Sequence, residues 1–65
     1  MMDVFFVYYF DGDKIEVLAK TNTSKITNLP IVGDYWINPR NKEMYMVKTR
    51  VFDPKENVIT IILTR

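Results

Sequence analysis

Histidine and cysteine are both absent from these 65 residues. With them go the proton shuttle that titrates near neutral pH, the thiolate nucleophile and the commonest metal ligands. The carboxylates that remain sit in turn-like stretches. Asp11 and Asp13 flank Gly12, a spacing that would hold a divalent cation only loosely, and acids so placed are ordinarily solvated turn-formers. Asp34 and Asp53 read the same way, and no P-loop, dinucleotide fingerprint or nucleophile elbow is present. No catalytic residue, metal ligand or cofactor is implied, and the chain reads as a non-enzyme. What the residues offer is contact chemistry. Met44, Met46, Lys48, Arg50 and Phe52 alternate along one stretch, so a regular strand there would align thioethers, cationic heads and a ring on one face. With Trp36 and Tyr35 beside it, that face suits another protein. The same side chains could instead stack the bases of a single-stranded nucleic acid over a basic groove. The plain alternative is a barrel exterior, its Lys and Arg keeping the protein soluble while the methionines fill the second side of a bent sheet.

Those six residues, Trp36, Met44, Met46, Lys48, Arg50 and Phe52, need a scaffold, and composition bounds it. A chain of 65 residues is one domain, spanning 1–65, and buries only about 60% of the surface its unfolded form exposes. No disulfide can stiffen it, so packing must, and a cytoplasmic location is compatible with that. A hydrophobic share of 48% with 14% aromatics excludes a disordered chain. The net charge of +1 creates no global field toward nucleic acid or anionic lipid. Charge is distributed unevenly, however: Asp3, Asp11, Asp13 and Glu16 face Lys14 alone near the start, and Arg40, Lys42, Lys48 and Arg50 face Glu43 further on. The apolar run Val4 to Phe10 is too short to span a bilayer and follows an acidic residue, so it is expected to be neither anchor nor signal peptide.

Five strands are predicted. The β-branched and aromatic run Asp3 to Phe10 is the first, and Asp11-Gly12 after it is a strong hairpin signal because both positions tolerate positive φ. Ile15 to Lys20 follows, with Ile15, Val17 and Ala19 on one face and Leu18 breaking the alternation. Thr21 to Asn28 is a long polar loop, from which Ile26 folds back onto the core beside Leu29. Pro30 and Gly33 shape the approach to a short strand Tyr35 to Ile37, Gly33 through positive φ, and Leu29 with Ile31 or Val32 should point inward. Asn38-Pro39-Arg40-Asn41 turns the chain into the longest strand, Glu43 to Phe52, whose other face is Tyr45, Val47, Thr49 and Val51. Asp53 to Asn57 turns it again, with Asn57 suited to the left-handed region, into Val58 to Thr64. There Ile59, Ile61 and Leu63 should face the core and Thr60 and Thr64 water, with Ile62 partly covered.

Such elements assemble into an all-β, five-stranded antiparallel meander, curled until its first and last strands meet in a small SH3-like barrel. An open sheet that dimerises through a face or an edge comes second, and an OB-like barrel third. Tyr8, Tyr9, Trp36, Tyr45, Phe5, Phe6, Phe10 and Phe52 are more rings than so small a core encloses, so some must reach the surface. Leu29-Pro30, Val32-Gly33-Asp34, Tyr45, Val47, Arg50-Val51-Phe52-Asp53 and Ile59, Ile61, Leu63 together resemble small bacteriophage and prophage proteins with SH3-like folds, over about half the chain. The resemblance implies a fold and a phage or prophage source acting in a host cytoplasm. The expected function is that of an interaction protein binding a host or viral protein through an exposed strand edge or the Met and basic face of the fourth strand, or a second copy of itself. Single-stranded nucleic acid is the alternative partner.

Overall fold

The computed structural model describes residues 1–26 and 28–65. It contains β1 (Asp3–Phe10), β2 (Lys14–Asn22), β3 (Tyr35–Ile37), β4 (Met44–Asp53) and β5 (Val58–Thr64). They form one sheet in the order β2-β1-β5-β4-β3, curled into a half-barrel with no helix among the described residues. The first and last strands do meet, but in parallel, Val4 beside Ile59 and Phe6 beside Ile61. The expectation of a purely antiparallel sheet is corrected on that point, for a topological reason. Five strands run alternately up and down, so the fifth returns in the direction of the first, and joining them can only be parallel. All other pairings are antiparallel. β2 and β3 are not paired, so the barrel stays open between them.

Turn chemistry places the hairpins. Asp11 (φ 52°) and Gly12 (φ 83°) both take the left-handed region between β1 and β2. The two later turns share one design. In each, an Asn or Asp before proline accepts the backbone N–H two residues on: Arg40 N donates to Asn38 Oδ1 (3.0 Å) and Lys55 N to Asp53 Oδ1 (3.0 Å). Each then ends on a left-handed residue four positions later, Lys42 (φ 63°) or Asn57 (φ 59°). Asn38 is itself buried.

The crossover from β2 to β3 spans the open side. β2 continues through Thr21 and Asn22, two residues of the predicted loop, because Asp3 and Val4 offer them partners; Thr27 of that loop lies outside the described residues. Ile26 and Leu29 pack on the core as expected. Ile31 and Val32 do not: both are exposed. Asp34 N donates to the Ile31 carbonyl (2.9 Å) and Ile31 N to Asp34 Oδ2 (3.0 Å), which closes a tight turn and leaves the residues at its tip outside the barrel. Gly33 supplies the required positive φ of 95°.

Directly opposed residues share a face of the sheet, so the pairings sort every side chain. The inner face carries the core: Val4, Phe6, Tyr45, Val47, Ile59, Ile61 and Leu63 are buried there. Leu18 joins them because β2 has a bulge, Phe6 facing Ala19 while Val7 faces Val17. The extra residue turns Leu18 inward, so Ile15 and Val17 lie on the outer face and Ala19 on the inner, not all three together.

Candidate interaction surfaces on strand four

β4 is not a regular strand. Its register against β5 slips between Val47, opposite Leu63, and Thr49, opposite Ile62, with Lys48 as the extra residue. Before the bulge, Tyr45 and Val47 face inward and Met44 and Met46 outward. After it, Arg50 opposes Ile61 and Phe52 opposes Ile59, both core residues, so these two side chains are on the inner face. The single face expected of Met44, Met46, Lys48, Arg50 and Phe52 is therefore two faces joined at a bulge. Met44 and Met46 have Ile37 and Tyr35 as cross-strand neighbours. Lys48 and Thr49 border an outer cleft of about 380 Å³ whose other wall includes Tyr9 and Gly12 of the first hairpin.

The lower half of β4 has no neighbour on one side. β3 pairs only with Met44 to Met46 of the ten residues of β4, and two further bonds, Gly33 N to the Val47 carbonyl (2.9 Å) and Val47 N to the Asp34 carbonyl (2.8 Å), carry the contact one residue on. Beyond Val47, no described strand pairs with that edge. Val47 turns its polar backbone toward β3. Alternation resumed after the bulge turns the N–H and C=O of Arg50 and Phe52 to the same, here open, side. Alongside lies a groove of about 480 Å³ bounded by Met2, Arg50, Val51, Phe52 and Ile59. Phe52 is 57% exposed within it.

Trp36 is placed elsewhere. It opposes Tyr45 on the inner face, and its ring stacks on Phe6 with centroids 4.5 Å apart and planes 9° from parallel. Half-buried in this way, the indole is a ring packed against the core. Tyr8 and Tyr45 continue the aromatic cluster at 5.3 Å, and the Arg65 guanidinium lies 5.2 Å from the Tyr45 ring. Arg65 also pairs with Glu43 and donates to the Tyr45 hydroxyl (3.3 Å). That hydrogen bond, with the nearby Glu43 charge, raises the guanidinium above its ordinary pKa. Asp11 sits 3.5 Å from Lys14 across the first turn, and among the described residues no three acidic side chains gather where a cation could be held. Among the described residues no helix is long and apolar enough to cross a membrane.

Sequence reasoning missed Met2 and Ile59 as groove walls and the outer cleft at Tyr9 and Gly12. The first depends on where Met2 docks, and Thr23 decides that by exchanging bonds with it: Thr23 N to the Met2 carbonyl (2.9 Å) and Met2 N to Thr23 Oγ1 (3.0 Å). No pattern local to either residue announces this. Compared with protein-family models, curated proteins and solved structures, the chain matches none.

Proposed function

We propose that this chain is a non-enzymatic interaction domain that captures an extended segment of another protein as an added strand along the open half of β4. The observation that carries it is the unpaired edge after Val47, with the backbone groups of Arg50 and Phe52 aimed outward beside an apolar groove. Strand addition draws affinity from main-chain bonds and specificity from pockets for alternate side chains. Here Met2, Phe52 and Ile59 form the pocket, and Arg50 beside them favours an acidic residue in the captured segment. With the resemblance drawn from the sequence, the domain is a phage- or prophage-encoded protein working in the host cytoplasm on a host or viral partner.

A synthetic peptide of alternating Val and Glu is the first probe, followed by backbone NMR. Binding should shift the amides of Lys48 to Asp53 and slow hydrogen exchange at Arg50 and Phe52. Arg50→Pro removes an outward donor without touching the ladder to β5, so it should cost more affinity than Arg50→Ala. Equal losses would mean that charge, not strand pairing, holds the peptide, and would refute strand addition. Salt-sensitive quenching of Trp36 by a mixed-sequence single strand, lost in Lys48→Ala with Arg50→Ala, would replace this function by nucleic-acid binding.

A further inference from the structure

The outer face of the sheet is the second unusual surface, and it is independent of the β4 edge. An antiparallel sheet with one side in water normally shows that side polar residues. This one shows apolar ones. Ile15 lies beside Tyr9, and Thr64, Met46 and Tyr35 lie each beside the next, with Tyr9 and Thr64 both lining the outer cleft; Met44 with Ile37 forms the neighbouring row. The next row is Val17, Val7, Ile62 and Thr49. Val7 is buried by its neighbours alone, but Val17 is 52% exposed, Tyr35 69%, Ile37 57% and Met46 37%.

We infer that a second copy of this chain covers this face, the two sheets packing face to face about a two-fold axis. Three features on the face select that occupant. The first is extent: Ile15, Val17, Tyr9, Tyr35, Ile37, Met44 and Met46 are each 37–69% exposed on this face, a concentration of large apolar side chains that monomers rarely leave open to water. The second is charge. A two-fold axis opposes a surface to itself, which penalises any charge near the axis. Among the outward-facing residues of these rows none is charged; Lys48 stands at the border, at the bulge. The third is the kind of polar group present. Tyr9, Tyr35, Thr49 and Thr64 carry hydroxyls, which both donate and accept, so each can pair with its own kind across the axis. Beyond the rows, Lys20 and the acids Asp3 and Asp53 supply both signs at one end, the polar rim of a self-complementary interface.

Sedimentation equilibrium on the full chain across the micromolar range tests this. The wild type should weigh twice the monomer at the upper concentrations. Met46→Glu and, separately, Tyr35→Lys should each return it to monomer with the β spectrum in circular dichroism unchanged; Tyr35 is 69% exposed on an edge strand and outside the core cluster, so that variant keeps the fold. A wild type that stays monomeric throughout would overturn the proposal. So would a dimer that survives both substitutions, or one that Arg50→Pro dissociates instead, since the pairing would then run through the β4 edge. Peptide capture by monomeric Met46→Glu keeps the two surfaces experimentally separate.

Discussion

Among the described residues positive φ is carried at five positions, and the residue at each decides what it costs. Gly33 (φ 95°) has open space where a Cβ would be built, so Gly33→Ala meets no clash and its whole effect is conformational. It should destabilise by about 1 kcal/mol or more in urea unfolding, and a variant as stable as the wild type would show that the Ile31–Asp34 turn relaxes freely. Lys42 (φ 63°) is the opposite case, a branchless but full side chain in the same region, where Asn57 holds the equivalent place in the next turn. Lys42→Gly should stabilise by about 0.5 to 1 kcal/mol, read in the same experiment. Both turns, the Asp11-Gly12 hairpin and the conformations of Gly33 and Asn57 were legible in the sequence because proline, glycine and Asn or Asp act locally. Lys42 was not, since nothing about lysine marks a left-handed residue; the closing bonds around Asn38 impose it, Lys42 N reaching the Asn38 carbonyl at 2.8 Å and Asn38 N the Glu43 carbonyl at 2.9 Å.

Strands were located well and their faces less so, and the difference comes from two bulges. In β2 the sequence signals the irregularity, Leu18 interrupting Ile15 and Val17, and the structure answers with a bulge that turns Leu18 into the core. In β4 the run Tyr45, Val47, Thr49, Val51 keeps its β-forming character through the slip, so period-two reading carries Met44 and Phe52 to one face when they belong to opposite ones. A bulge that leaves hydropathy in phase is invisible to a pattern of hydropathy. Its consequence is measurable in amide exchange. Arg50 and Phe52, directed to the open edge, should exchange rapidly in the free protein, while Val51 and Asp53, directed to Thr60 and Val58 of β5, are protected. Protection alternating in the other phase would mean that Lys48 is not the extra residue, and the edge offered to a partner would present Val51 instead.

At the scale of the molecule, the order β2-β1-β5-β4-β3 puts β5 at the centre of a sheet whose β1–β2 hairpin and β3–β4–β5 unit are strand-paired only along β1 and β5, and touch again across the barrel interior where Trp36 stacks on Phe6. The join is between strands from opposite ends of the chain, so every contact across it closes a loop of more than fifty residues. That the termini would meet was foreseeable from strand number and size. The unclosed gap between β2 and β3 was not, because both read as ordinary strands and nothing local to either says whether they pair with each other. Cooperativity must then rest on β5. Ile61 is fully buried and is flanked by Phe6 on one side and Arg50 on the other. Ile61→Ala should cost about 2 to 5 kcal/mol through lost burial and the cavity left behind. A 65-residue domain has a total of only about 3 to 10 kcal/mol at the usual 0.05 to 0.15 per residue. The variant should thus lose its cooperative melt near or below body temperature, whereas Val51→Ala, on the outer face of the open half, should lower the melting temperature by only a few degrees. Similar melts for the two variants would mean that the hairpin units do not depend on their β1–β5 join, and each would then have to be regarded as folding by itself.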